Sequence, residues 1–124
     1  MWVAVRETLM PADTPTERRA LLVRRITDSR RTGESAVFEA EGATVEYDDR
    51  VLRLEIGTDE RDRLEELLSA YHVFKIKQPE TRKADGDTVY LSAVTDAKHA
   101  ADFVESLFRE VYGAGKRYEL RSHG

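Results

Sequence analysis

Three short runs of alternating residues, separated by turn signals, constrain the fold of this chain more than any other feature of its sequence. The runs cover residues 35–41, 43–47 and 51–56. Apolar side chains stand at every second position in the first and third runs: Ala36, Phe38 and Ala40, then Leu52, Leu54 and Ile56. Because successive side chains of a strand point to opposite faces, the pattern predicts a three-stranded antiparallel meander with one buried face.

Capping residues and helical spacing predict one helix before this meander in the sequence and another after it. Residues 14–17 (Thr-Pro-Thr-Glu) have the form of a capping box with proline at the first helical position, so a helix is expected to start there and to end by Gly33. Its apolar residues are clustered rather than striped, which leaves a strand over Ala20–Thr27 as an alternative. Thr58 is expected to cap a second helix whose first turn is acidic.

The clearest amphipathic helix is predicted near the end of the chain. Thr95 or Asp96 is expected to cap it, and Gly113 is expected to end it. The preceding segments His72–Lys77 and Thr88–Val94 alternate in the manner of strands. Residues 116–121 are expected either to add an edge strand or to trail off.

These elements predict an α+β fold, with a mostly antiparallel sheet of four to six strands and helices packed on one face. The length of 124 residues is typical of one domain, so residues 1–124 are expected to form a single α+β domain. Within it, residues 1–13 are expected to be a short strand or a poorly ordered leader, and residues 116–124 a tail. The second face of the sheet is expected to meet water or a second copy of the chain.

Composition excludes several kinds of chemistry and location. The chain has no cysteine, so disulfides, thiolate nucleophiles and cysteine-ligated metal sites are impossible. No apolar run is long enough for a signal peptide or a membrane span. We therefore expect a cytoplasmic protein that makes no membrane contact.

No group of residues predicts catalysis or cofactor binding. The histidines His72, His99 and His123 are scattered, and neither a metal-binding spacing nor a phosphate-binding glycine loop occurs. We therefore predict no catalytic, cofactor-binding or metal-binding residues, and no cofactor. An enzyme is not favoured, although a small enzyme that uses carboxylate and histidine side chains remains one alternative.

Charge is divided along the chain. Residues 16–33 hold six arginines and two carboxylates, a net charge of +4, whereas residues 34–70 hold four arginines and twelve carboxylates, a net charge of −8. The basic segment is a candidate for binding an anion or nucleic acid through phosphate contacts. The candidate residues are the arginine pairs, extended by two lysines: Arg18, Arg19, Arg24, Arg25, Arg30, Arg31, Lys75 and Lys77. The alternative is that the basic helix packs on or beside the acidic meander and makes ion pairs within one subunit or across a dimer.

The leading functional hypothesis is a non-catalytic module for protein interaction or regulation that forms a homodimer. A further protein partner is compatible with this hypothesis. The hypothesis is based on charge segregation joined to the lack of a catalytic constellation. Nucleic-acid binding by the arginine-rich segment 18–31 is the second hypothesis. Its six-residue step turns about 600° around a helix, so the arginine pairs are not expected to share one face.

The stretch from His72 to Leu120 resembles a family of small uncharacterised proteins from halophilic archaea. The resemblance is strongest over Lys75–Val94 and over the last helix, which contains the run TDAKHAADFVESLFREVYG. It implies a cytoplasmic, salt-adapted protein, in line with fifteen arginines against five lysines. It implies no activity, so it brings no functional residues to this chain.

Overall fold

The computed structural model describes residues 12–77 and 88–123, and within them it contains three α-helices and one six-stranded antiparallel sheet. The helices are α1 (Pro15–Thr32), α2 (Thr58–Ala70) and α3 (Ala97–Ser106), and the strands are β1 (Ala36–Ala40), β2 (Ala43–Asp48), β3 (Val51–Glu55), β4 (Lys75–Lys77), β5 (Thr88–Ser92) and β6 (Arg121–His123). The predicted α+β class is therefore confirmed. The expectations for residues 1–11 lie outside the described residues.

The sheet is built outward from the predicted meander. Its strand order is β4-β5-β3-β2-β1-β6, and each neighbouring pair runs antiparallel. The meander forms the centre, β5 joins it beside β3, and β6 joins it beside β1. An edge strand is present at the C-terminal end, but it covers Arg121–His123 and shares only Arg121 with the expected segment 116–121.

Both turns of the meander use left-handed backbone conformations. Glu41 and Gly42 have φ angles of 50° and 84°, and Asp49 and Arg50 have φ angles of 51° and 61°. Positive φ at both central residues is the requirement of a two-residue hairpin turn whose twist matches that of the strands. The second turn meets it without glycine, so its backbone carries conformational strain.

The core lies between one face of the sheet and the helices. On that inner face Ala36, Phe38, Val45, Leu52 and Leu54 are each 0–1% exposed. The predicted helix packing on one face of the sheet is confirmed, because the alternate residues of the same strands stay partly or fully exposed.

Helix α1 includes the segment Ala20–Thr27, for which the sequence had left a strand as an alternative. Residues 20–27 are helical, so the strand interpretation is wrong. The backbone N–H of Glu17 donates to Thr14 Oγ1 at 3.2 Å, which satisfies one of the unpaired donors of the first turn. Leu22 and Ile26, one helical turn apart, are fully buried.

The other two helices begin and end slightly differently from the prediction. Gly57, not Thr58, is the N-cap of α2, and its N–H donates to Glu60 Oε1 at 2.8 Å. Asp96 caps α3 by accepting from the backbone N–H of His99 at 2.7 Å. Helix α3 ends at Ser106, and a π-helical turn over Leu107–Val111 continues the buried face up to Gly113.

Candidate functional site

The first arginine pair of α1 is bound to helix α3. Arg18 is fully buried, and its Nε and Nη2 donate to the two carboxylate oxygens of Glu105 at 2.9 and 2.7 Å. Its Nη1 donates to the Tyr118 carbonyl at 3.0 Å, and its guanidinium lies 4.0 Å from the centre of the Tyr118 ring. The hydrogen bonding of Arg18 to the Glu105 carboxylate raises the pKa of Arg18. Arg18 is therefore a structural link between α1, α3 and the C-terminal segment.

Arg19 makes the same kind of link at the surface. Its Nε lies 2.9 Å from Asp102 Oδ1, and both side chains are about half exposed. In the described part of the chain, no ion pair joins α1 to the acidic segment 34–70. Ion pairing within the subunit is present as the sequence led us to expect, but its carboxylates belong to α3 and not to the meander.

The other two arginine pairs point in different directions. Arg24 is exposed, whereas Arg25 Nε donates to Ser122 Oγ of β6 at 3.1 Å. Arg30 Nη1 donates to the Thr95 carbonyl at 2.8 Å, and Arg31 lies 3.3 Å from Asp28 of its own helix. The six arginines therefore form no single basic face, which removes support from the nucleic-acid hypothesis.

Lys75 and Lys77 do not extend the arginine cluster. Their register partners on β5 are Ser92 and Tyr90, which alternate with the buried Leu91. Both lysines consequently lie on the outer face of the sheet, on the side opposite α1. The structure separates these two candidate residues from the arginines with which the sequence had grouped them.

The outer face carries a row of side chains that cross four strands. Lys77 on β4 lies opposite Tyr90 on β5, Tyr90 lies opposite Arg53 on β3, and Arg53 lies opposite Glu46 on β2. The neighbouring row is Lys75, Ser92, Val51 and Asp48 in the same strand order. We call these eight residues the outer patch. Its β4 edge is basic and its β2 edge is acidic.

The middle of the outer patch is only partly exposed. Tyr90 and Val51 have intermediate exposure, and Arg53 lies 3.6 Å from Glu46 and 3.4 Å from Glu55. The patch thus combines an aromatic ring and a valine with charges that are already ordered by ion pairs. No sequence signal singled out Tyr90 or Arg53, because the register that joins β5 to β3 is not local.

A second unusual position lies inside the core, at the end of β2. Tyr47 is 1% exposed, and its hydroxyl has no hydrogen-bond partner among the described residues. Burial raises the pKa of Tyr47, while the nearby charges of Arg30 and Arg50 act in the opposite direction. The hydroxyl is therefore a protonated donor at neutral pH. The alternation of β2 indicated a strand here, but it gave no sign of an unpaired group.

Neither a metal centre nor a membrane span is found in the part of the chain that the structure describes. Within residues 12–77 and 88–123, His, Asp and Glu side chains form no group of three or more that could hold a metal ion. No helix over the same residues is long and apolar enough to cross a membrane. The expected cytoplasmic location stays a prediction.

Comparison with known proteins places the chain in a family without an assigned activity. The model of DUF7975, a family of unknown function, matches residues 8–123, and the chain therefore belongs to this family. No match is found among curated proteins or among solved structures. The expected membership of an uncharacterised family is confirmed, whereas the halophilic archaeal origin stays a prediction.

Proposed function

We propose that this member of DUF7975 is a non-catalytic interaction module that forms a homodimer through the outer patch. One observation carries the proposal: the patch is self-complementary in charge. Lysines occupy β4, carboxylates occupy β2, and Tyr90 and Arg53 lie between them on β5 and β3. Such a distribution fits a second copy of the same surface, as an isologous interface requires.

A twofold axis parallel to the strands, between β5 and β3, pairs the two copies residue by residue. It places β4 of one copy over β2 of the other, so Lys77 faces Glu46 and Lys75 faces Asp48. It also places Tyr90 over Arg53 of the partner copy, and a guanidinium over an aromatic ring is attracted by the ring electrons. Every charged residue of the patch thus meets an opposite charge or an aromatic ring.

The size of the patch sets the strength of the interaction. The outer patch spans four strands about 4.8 Å apart and about three residue positions along each strand, which covers roughly 200 Å². A standard stable interface buries about 800 Å² on each partner. The dimer is therefore expected to be transient, with a dissociation constant in the micromolar range or weaker, as suits a regulatory contact.

Sedimentation equilibrium at about 0.1 M and about 1 M salt, at chain concentrations up to about 1 mM, tests the proposal. Exposed charge pairs are screened over about 10 Å at the lower salt and about 3 Å at the higher one, so we expect dimers at low salt that dissociate at high salt. A strictly monomeric chain at millimolar concentration and low salt would contradict the proposal.

Charge reversal tests the pairing itself. Lys77→Glu should weaken the dimer because it places two carboxylates opposite each other, and the double variant Lys77→Glu/Glu46→Lys should restore it. Lys98→Glu is the matched control, since Lys98 is an exposed lysine on α3, on the other side of the sheet. Equal weakening by Lys77→Glu and Lys98→Glu would attribute the effect to net charge and would refute this geometry.

A further inference from the structure

The unpaired hydroxyl of Tyr47 marks a place where the described protein groups leave a polar atom without a partner. The ring is packed in the core at the end of β2, opposite Leu52 on β3 and Ala36 on β1. Leaving a buried hydroxyl unpaired is unfavourable, and nearly all buried polar groups in folded proteins have a partner. A group other than the described residues is therefore expected to bind this hydroxyl.

Three elements meet beside the turn that follows Tyr47. The last turns of α1 reach the loop between β5 and α3, where Arg30 Nη1 donates to the Thr95 carbonyl at 2.8 Å. The turn between β2 and β3 reaches the same loop, where the Ala93 N–H donates to the Arg50 carbonyl at 2.8 Å. The Arg30 guanidinium and the Arg50 backbone are thus held at one end of the sheet, beside the end of the strand that carries Tyr47, and the charges of both arginines act on the pKa of Tyr47.

The charge at this end of the molecule favours an anion. Arg30 and Arg50 are exposed, and neither forms an ion pair among the described residues. Asp49 is the carboxylate beside them, and it does not contact either guanidinium within ion-pair distance. The pKa of Tyr47 is raised by burial, so its hydroxyl stays protonated and can donate.

We propose that Tyr47, Arg30 and Arg50 form a binding site for a phosphate-type oxyanion, either the free ion or the phosphate group of a small monoester. Arginine matches tetrahedral oxyanions in geometry as well as in charge. The neutral tyrosine hydroxyl supplies one further hydrogen-bond donor to the ion. The two arginine side chains are exposed, whereas the tyrosine is fixed by its packing in the core. The site lies on the helix side of the sheet, so it is independent of the proposed dimer.

Isothermal titration with inorganic phosphate, in a chloride buffer of constant ionic strength, tests the site. Tyr47→Phe keeps the ring and removes only the hydroxyl, and Arg50→Gln removes one guanidinium while keeping a side chain on the same backbone. Each is expected to weaken phosphate binding about tenfold or more, as the loss of a hydrogen bond to a charged group predicts. Arg24→Gln, an exposed arginine on α1 with no described contact to this site, is the charge-matched control and should leave binding unchanged.

Thermal unfolding supplies a second readout that an ordered water molecule would not reproduce. Without phosphate, Tyr47→Phe should raise the melting temperature, because it removes an unpaired buried hydroxyl. With saturating phosphate the advantage should disappear, since the wild-type hydroxyl then has a partner. If a water molecule satisfies the hydroxyl instead, Tyr47→Phe will change stability equally with and without phosphate, and the proposal is overturned.

Other outcomes of the phosphate titration also test the proposed site. An absence of phosphate binding in the wild type overturns the site, and so does binding that survives in Tyr47→Phe, because that would be surface attraction to arginine alone. Titration with glycerol 3-phosphate separates the two sources of the ligand. Tighter binding of the monoester assigns a phosphorylated metabolite, and binding of inorganic phosphate alone assigns the free ion.

Discussion

Arg18 donates two parallel hydrogen bonds to Glu105, from Nε at 2.9 Å and from Nη2 at 2.7 Å, although 87 residues separate them in the chain. Arg18 is fully buried, whereas the Glu105 side chain is 23% exposed. Glu105 also accepts a hydrogen bond from the Tyr118 hydroxyl at 2.8 Å. One carboxylate thereby neutralises a buried cation and orders the segment that leads to β6.

Removing the charge of Glu105 should destabilise the fold far more than removing a similar charge at the surface. Glu105→Gln leaves a buried guanidinium without a counter-charge, and we expect it to lower the free energy of unfolding by about 3 kcal/mol. The measurement is chemical denaturation at neutral pH. A loss below about 1 kcal/mol would mean that water reaches Arg18 in solution.

Asp102→Asn is the matched control, because it makes the same carboxylate-to-amide change on the same helix. Its partner Arg19 is 48% exposed, so the pair is screened by solvent and should contribute less than about 1 kcal/mol. The contrast between the two variants isolates the effect of burial on an ion pair. Equal losses would assign the effect to helix α3 itself.

Stability should fall at alkaline pH because buried tyrosines hold their protons. Burial raises the pKa of Tyr47, Tyr112 and Tyr118, and in Tyr118 the hydrogen bond to Glu105 adds to it. The unfolded chain begins to lose these protons near pH 10, whereas the folded chain keeps them. The unfolded state then binds fewer protons, so the free energy of unfolding decreases as the pH rises.

The checks are denaturation curves between pH 8 and pH 11 and the tyrosinate absorbance near 295 nm. Three of the five tyrosines should resist ionisation until the protein unfolds, and unfolding should release them together. The stability conferred by this shift is fully present below about pH 10 and is lost above it. Gradual ionisation of all five without loss of structure would contradict the prediction.

The parts of the fold that depend on neighbours in sequence could be predicted from the sequence. Alternation and turn residues identified β1, β2 and β3. Cap signals located the start of α1 at Thr14 and the start of α3 at Thr95 or Asp96, of which Asp96 is the cap. Strand pairing at long range could not be predicted in this way. Nothing local distinguishes the edge of the meander that β5 joins from the edge that β6 joins. The pairing of β5 with β3 and of β6 with β1 depends on how the helices cover one face of the sheet.

The partners of the arginines could not be predicted from the sequence for the same reason. Arg18 and Arg19 are adjacent, yet one is fully buried and the other about half exposed, and their partners lie more than 80 residues away. The charge division along the chain therefore predicted ion pairs but the wrong carboxylates. Tyr47 was unremarkable as a strand residue, since its unpaired hydroxyl results from three elements that meet only in the folded chain.

The cap of α3 should make a measurable contribution to stability. Asp96 accepts from the N–H of His99 at 2.7 Å, and its negative charge lies at the positive end of the helix dipole. Asp96→Ala should lower the free energy of unfolding by about 1 kcal/mol, and Asp96→Asn should recover most of the loss. Failure of Asn to recover stability would show that charge, rather than the hydrogen bond, accounts for the effect.

The turn between β2 and β3 should gain stability from a glycine. Arg50 has a φ angle of 61°, which L-residues avoid, whereas the turn between β1 and β2 has Gly42 at its second central position, with φ 84°. Arg50→Gly should raise the free energy of unfolding by about 1 kcal/mol, since it relieves the left-handed strain. Phosphate-free buffer is needed for the measurement, so that the proposed anion does not contribute.

The reciprocal change, Gly42→Arg, provides the control for Arg50→Gly. A β-carbon at Gly42 would have no atom within 4 Å, so the substitution should cost stability only through its backbone angle, again by about 1 kcal/mol. If Arg50 binds an anion, Arg50→Gly will be the more stable protein and the weaker phosphate binder at once. Such a trade-off explains why a strained arginine stands where glycine fits better, whereas a stabilised variant with undiminished phosphate binding would leave the strain at Arg50 without a role.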